Sequence, residues 1–264
     1  MKPLAALDPG TLRGLEGLLF DLDDTLLSRG VLTREAYGAL WDMHAAGLRL
    51  VAVTGRPSAW GELLVRQWPI DGAVTENGAV HVVREGMGVA IRERCGPDER
   101  TRRRARLAAI VERVGARVPE ASLTDDIGGR RSDVTWDIGE RVRLPEDRVA
   151  RIRQEIREAG ARTSSSSVHI HATFDEDDKA SGTVHFLSQT FGVDAGRARV
   201  RYAFAGDSGN DAACFAAFAT TFAVANVKAH LSRIPVSPRF VAAAAMGEGF
   251  AEIARAMLEE RGAR

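Results

Sequence analysis

Cysteine is almost absent from this chain. Cys95 and Cys214, far apart in sequence, are the only two among 264 residues. Such sparse usage points to reduced thiols in a cytosolic protein and away from a disulfide framework, with a single bridge between the two left open. Excess charge is absent as well: 36 basic and 36 acidic residues cancel to a net charge of zero. Nothing therefore draws the chain electrostatically to nucleic acid or to an anionic membrane. No apolar run is long enough to span a bilayer, and the opening MKPLAALDPG lacks the sustained apolar stretch of a signal peptide. The expectation is a cytoplasmic protein with a small-molecule partner, no nucleic acid and no membrane. Its length allows one substantial core, or one core and a smaller domain.

What the chain does have is a set of apolar runs that end in polar, chemically useful residues. In LLFDLDDTLL, Leu18, Leu19 and Phe20 read as the end of a buried strand, and Asp21, Asp23 and Asp24 follow at once. Open α/β sheets keep their ligand crevice at the C-terminal strand ends. Two carboxylates placed there two residues apart let one attack phosphorus while the other handles a proton, provided a divalent cation offsets their repulsion. A second run, 48–53, ends in Thr54 and is followed by Arg56; a third, 200–205, leads into GDSGNDAACF with Asp207, Asn210 and Asp211. Lys179 opens a helical pattern between them. Each has a plain alternative: an acidic solvated turn for Asp21 and Asp23, a strand-ending turn at Thr54, a solvated charge at Lys179, an Asx-turn or helix cap at Asp207. All of them together, in this order and at strand ends, favour a catalytic edge.

Strands are expected over 18–20, 48–53, 73–75, 200–205, 221–225 and 240–242, apolar on both faces as in a parallel sheet covered by helices. Helical patterns over 33–46, 58–67, 182–191, 211–217 and 250–260 fall between them, with Thr33 a plausible N-cap and Gly47 a plausible stop. The predicted fold class is α/β, a doubly wound parallel-sheet, Rossmann-like core over 1–78 and 179–264 with an α/β cap inserted over 79–178. Within the insert, Arg131, Asp133, Thr135 and Asp137 alternate with apolar residues, as do Ser167, His169, His171 and Thr173. Period-two alternation predicts strands with one face on helices and the other wet. The basic run at Arg100, Arg102, Arg103, Arg104 and Arg106 reads as a solvated helix face, since no aromatic interleaving suggests base stacking. His169 and His171 share a strand face, and a zinc site there would need a third ligand.

The order of two Asp, a Thr, a Lys and two further Asp resembles the haloacid dehalogenase-like (HAD) phosphohydrolase superfamily, over nearly the whole chain. The insertion after TENG and the cap pattern resemble its large-cap class, which includes Cof-type, sucrose-phosphate phosphatase and phosphomannomutase-like proteins. The resemblance implies a Mg²⁺-dependent phosphatase of sugar phosphates or related small phosphomonoesters. Asp21 would be the nucleophile that becomes an aspartyl-phosphate, and Asp23 would protonate the leaving oxygen and then deprotonate water. Asp21, Asp207 and the backbone carbonyl of Asp23 would hold the metal. Asn210 and Asp211 would orient Lys179 and the metal ligands, while Thr54 and Lys179 would hold the phosphoryl oxygens. In the phosphomannomutase-like group a serine and an aspartate, one residue apart, contact the sugar; the matching positions here are Ser167 and His169, so the aspartate is replaced. Arg131 and Arg56 are further candidates for substrate contact. A phosphomutase on hexose phosphates uses the same aspartyl-phosphate and stays open. A receiver domain also clusters Asp, Thr and Lys, but is compact and lacks such an insert. A non-catalytic sugar-phosphate binder would have no need of both Asp21 and Asp23.

Overall fold

The structure, a computed structural model, describes residues 1–166, 168–259 and 262. Ser167, a predicted substrate contact, lies outside the described residues. The central strand Gly17–Phe20 is fully buried, and its side chains divide between two cores: Leu18 and Phe20 on one face, Leu19 on the other. That two-sided burial is why the strand reads as an unbroken apolar run. Around it a nine-stranded sheet runs in the order Lys2–Pro3, Phe240–Val241, Thr220–Ala223, Tyr202–Gly206, Gly17–Phe20, Arg49–Val53, Gly72–Thr75, Val80–Glu85, Gly88–Glu93. All pairings are parallel up to Gly72–Thr75, and the last two strands run antiparallel. The sheet is thus mixed, with a parallel core and helices on both faces.

Helix Arg34–Ala45 begins where Thr33 accepts a bond from the Ala36 amide at 3.3 Å, and it buries Ala36, Ala39, Leu40 and Met43. Gly47, at φ +76°, lets the chain turn out of it. The strand expected from residue 200 starts at Tyr202, because Asp194 caps a short helix, Ala195–Arg201, through the Gly196 and Arg197 amides. Cys95 and Cys214 are both free thiols. No helix among the described residues is long and apolar enough to cross a membrane.

The insertion begins later than residue 79. Strands Val80–Glu85 and Gly88–Glu93 form a hairpin that extends the large sheet, so the separate unit starts with helix Pro97–Arg117. That unit has a four-stranded antiparallel sheet, Arg162–Ser165, His169–Thr173, Asp133–Asp137 and Ser122–Leu123, with a core of its own built from Leu107, Ile110, Val114, Trp136, Ile152 and Ile170. Its polar face, expected to be wet, is dry. Asp133, Thr135, Asp137, His169 and His171 are all buried.

The basic run is also more than a solvated face. Arg100 and Arg103 both grip Asp175, Arg104 donates to the Asp133 carbonyl at 2.8 Å, and Arg106 lies over the Phe174 ring. These contacts fasten the helix to the segment that leads into Lys179. That segment is held from the other side by close glycine packing. A Cβ on Gly182 would stand 2.2 Å from the Gly78 carbonyl oxygen, and one on Gly78 would stand 2.1 Å from the Asp178 carbonyl. The start of helix Lys179–Phe191 therefore seats directly on the turn after strand Gly72–Thr75.

Candidate active site

Two strand ends and one helix start converge on a single buried cluster. Strand Gly17–Phe20 delivers Asp21, strand Tyr202–Gly206 delivers Asp207, and Asp211 follows one turn later. Helix Lys179–Phe191 begins with the lysine itself, capped by Asp178, whose side chain accepts the Ser181 amide at 2.8 Å. Lys179 Nζ donates to Asp21 Oδ1 at 2.7 Å and to Asp211 Oδ1 at 2.8 Å, and all three side chains are buried. The second oxygen of Asp211 accepts the amides of Asp207 and Ser208 at 3.0 and 3.1 Å. Both Asp211 oxygens are thus occupied. Its place is to fix Lys179 and the Asp207 loop, and a Cβ on Gly206 would sit 2.5 Å from its Oδ2.

Asp21 and Asp207 each keep one oxygen with no bond among the described residues. Asp207 Oδ2 accepts from Asn226 Nδ2 at 2.8 Å; the same amide reaches the Asp24 carbonyl at 3.0 Å, and Asn226 Oδ1 accepts the Met246 amide at 3.0 Å. Asn226 ties the two acidic loops together, yet no sequence pattern marked it. Asp21, Asp207 and Asp211 place ligand oxygens within 4.8 Å of one another. Three carboxylates share one ammonium there. Burial, with the neighbouring carboxylates adding to it, pushes Asp21 up to about 7 and Asp207 up to about 9. An all-oxygen, electron-rich, dry site of this kind fits a hard divalent cation. Asp21 and Asp207 are the members of the cluster with a carboxylate oxygen left over for such an ion.

The remaining predicted residues divide. Asp23 faces the same pocket, and Arg56 holds it in a two-pronged pair, Nε to Oδ2 at 2.9 Å and Nη2 to Oδ1 at 2.8 Å. Arg56 therefore lines the pocket but is committed to Asp23 rather than free for substrate. Thr54 sits buried at its strand end, where Oγ1 accepts the Arg56 amide at 3.0 Å; its hydroxyl proton is not engaged among the described residues. Asn210 lines the pocket and accepts from Ser208 Oγ at 2.7 Å. His169 lines it from the cap, its Nε2 2.7 Å from Glu140 Oε2, and Glu140 Oε1 lies 3.5 Å from Arg56. Arg131 does not line it. Its side chain pairs with Glu93 at 2.6 Å, since residue 131 precedes the strand that begins at Asp133. His171 sits 3.0 Å from Asp133 and 2.9 Å from Thr135, and burial holds its imidazole below the ordinary value. Among the described residues, the one metal-like cluster is the aspartate set, not the histidine pair.

Two buried charges that the sequence did not reveal close the cap over this pocket. Glu76, in the left-handed region at φ +50°, accepts the Ser58 amide from the core and the Arg131 and Ser132 amides from the cap, the last at 2.6 Å, along with Ser132 Oγ at 2.8 Å. Arg130 reaches back from the cap to the Gly55 carbonyl at 3.0 Å while paired with Asp133. Burial raises the Glu76 pKa, but four donors surround the carboxylate. Replacing Glu76 by Gln turns an NH₂ toward those donors, with an expected cost of about 2–3 kcal/mol. Urea unfolding should show the lowered midpoint; an unchanged midpoint would remove Glu76 as the tie between cap and core.

No protein-family model and no curated protein matches the sequence. Solved structures do match it, over nearly its whole length. One is the sucrose-phosphatase from Synechocystis sp. PCC6803 in complex with sucrose and phosphate, 16% identical, with a TM-score of 0.64 over 92% of this chain and 98% of that one. Another is BT1666 from Bacteroides thetaiotaomicron, among the phosphatases of the HAD superfamily, 20% identical, TM-score 0.63, over 98% and 100%. A third is the HAD subclass IIB sugar phosphatase BT4131, 20% identical, TM-score 0.60, over 94% and 100%. The chain has the haloacid dehalogenase-like fold. In that fold Asp21, Asp207, Lys179 and Thr54 come from separate segments of the core, and the cap roofs them.

The raised acids give a pH test. Both carboxylates bind more protons folded than unfolded between their ordinary value of 3.8 and about 7 and 9. Without a divalent cation, stability should therefore fall as pH rises through that window. Mg²⁺ should restore it at pH 8.5, and Asp207→Asn should remove most of both effects. Thermal melts at pH 5 and 8.5, with chelator or with Mg²⁺, measure this. Equal metal responses in the two proteins would take Asp207 out of the metal site.

Proposed function

We propose that this protein is a cytoplasmic, Mg²⁺-dependent phosphatase that hydrolyses a sugar phosphate through an aspartyl-phosphate on Asp21. The observation that carries the reading is the buried arrangement of Asp21 on Lys179, with a free Asp21 oxygen beside Asp207 and with Asp23 facing the same pocket. Binding alone needs no second carboxylate two residues from the first.

Asp21 attacks phosphorus with its unbonded oxygen, while Lys179 and Thr54 hold the phosphoryl oxygens by charge and by hydrogen bond. Asp23, positioned by Arg56, donates a proton to the departing sugar oxygen and takes one from the water that cleaves the acyl-phosphate. Asp21, Asp207 and the Asp23 backbone carbonyl would hold a divalent cation, which would supply positive charge against the substrate's phosphate. The polar cap face, with His169 in the pocket wall, suits a hydroxyl-rich leaving group, and two of the similar structures are named as phosphatases of sugar phosphates. Neutral net charge and free thiols accord with a small substrate in the cytoplasm.

The test is phosphate release from a panel of sugar mono- and diphosphates with Mg²⁺, alongside p-nitrophenyl phosphate. Release above background supports the reading. Positional isomers of the sugar phosphate in place of free phosphate would replace hydrolysis by mutase chemistry. Complete inertness toward every ester, the aryl phosphate included, would sink it.

A further inference from the structure

The catalytic pocket encloses only about 60 Å³, whereas a second cavity in the seam between cap and core encloses about 460 Å³. The two are neighbours, since Ser166 from the cap and Ser208 from the core line both. On the core side the larger cavity is bounded by Gly209 and His230, and on the cap side by the loop before helix Glu146–Glu158 and by that helix. Two arginines stand in its wall, Arg143 and Arg153. Their sequence neighbours Arg141, Arg148 and Arg151 all have carboxylate partners. Arg143 and Arg153 have no hydrogen bond or ion pair among the described residues, and Glu146, the carboxylate in the same wall, lies beyond ion-pair distance of both.

We propose that this seam cavity is the leaving-group subsite and that it selects a substrate with a second anionic group, a carboxylate or a second phosphate, held by Arg143 and Arg153. The small pocket takes the phosphoryl group; the rest of the substrate passes between Ser166 and Ser208 into the larger space. An unpaired guanidinium presents a planar set of donors that matches either anion, and two of them in one wall favour a doubly charged ligand over a neutral sugar end. The proposal rests on the phosphatase reading above.

The experiment compares kcat/KM for glucose 1,6-bisphosphate and 6-phosphogluconate with that for glucose 6-phosphate, in the wild type and in the Arg143→Ala/Arg153→Ala double variant. Glucose 1,6-bisphosphate adds a phosphate to the glucose 6-phosphate ring, and 6-phosphogluconate carries a carboxylate at C1 of an open chain. The two arms thus separate phosphate from carboxylate, and the double variant separates the effect of charge from that of ring opening. The wild type should prefer at least one of them by tenfold or more. In the double variant that preference ratio should fall at least tenfold, mainly through KM, with partial recovery in Arg143→Lys/Arg153→Lys. A ratio cancels any loss of folded protein. Hydrolysis without such a preference, or a preference that survives in the double variant, overturns the subsite and leaves the phosphatase standing. Failure of the wild type to hydrolyse even p-nitrophenyl phosphate overturns both.

Discussion

Asp21→Asn should abolish turnover without weakening the fold. The amide is no nucleophile toward phosphorus, and loss of the attacking group typically costs about 10⁴-fold or more in rate. Shape is preserved, and the amide oxygen can still accept from Lys179, which now bonds Asp21 Oδ1 at 2.7 Å. Burial has already pushed the Asp21 carboxyl up to about 7, so its anion is disfavoured in the folded protein until a cation arrives. Removing that charge should therefore leave the metal-free melting temperature at pH 8 equal to or above that of the wild type. Loss of activity with retained or increased stability is a signature that a merely structural aspartate does not give. Residual activity within tenfold of wild type would end the aspartyl-phosphate mechanism, and a lower melting temperature would assign Asp21 to the fold instead.

The core of this site was legible because strand ends announce themselves. An apolar run that is buried on both faces stops abruptly at Asp21, Thr54 and Asp207, and no packing demand explains the polar residue that follows. Lys179 was legible through its place after the cap and its helix start. What escaped depends on contacts that local sequence does not encode. The hairpin at 80–93 joins the large sheet through pairing with strand Gly72–Thr75, and nothing in its own pattern says which sheet it extends. Period-two alternation correctly gave a polar cap face at Asp133, Thr135 and Asp137, but alternation cannot say whether water or another domain covers it. Arg56 was placed in the crevice, yet its pairing with Asp23 is a meeting of separate loops. Asn226 and Glu76 are single polar residues with no periodicity around them, and their roles appear only once cap and core loops are in contact.

Lys179→Met carries the largest expected effect on stability. Lys179 is the single ammonium among Asp21, Asp207 and Asp211 and is buried with them; methionine fills much of its volume but leaves three carboxylates facing one another. Removing one partner from a buried ion cluster typically costs about 3–5 kcal/mol. The loss should depend on pH. Lys179 now lowers the Asp21 pKa, so without it the acids climb further above their ordinary value and take up more protons on folding. Stability falls with rising pH wherever the folded state binds the extra protons, and the slope for the variant should be steeper. The gap between wild type and Lys179→Met in urea unfolding should therefore be smaller at pH 5.5, where protonated acids need no counter-charge, and widest at pH 8.5. Mg²⁺ should narrow the gap at pH 8.5 by offsetting the same charge, while the proposed phosphatase activity should stay lost, since on that reading Lys179 is the ammonium that receives the phosphoryl oxygens. A gap of equal size at both pH values would mean that Lys179 stabilises the protein by packing and not by charge.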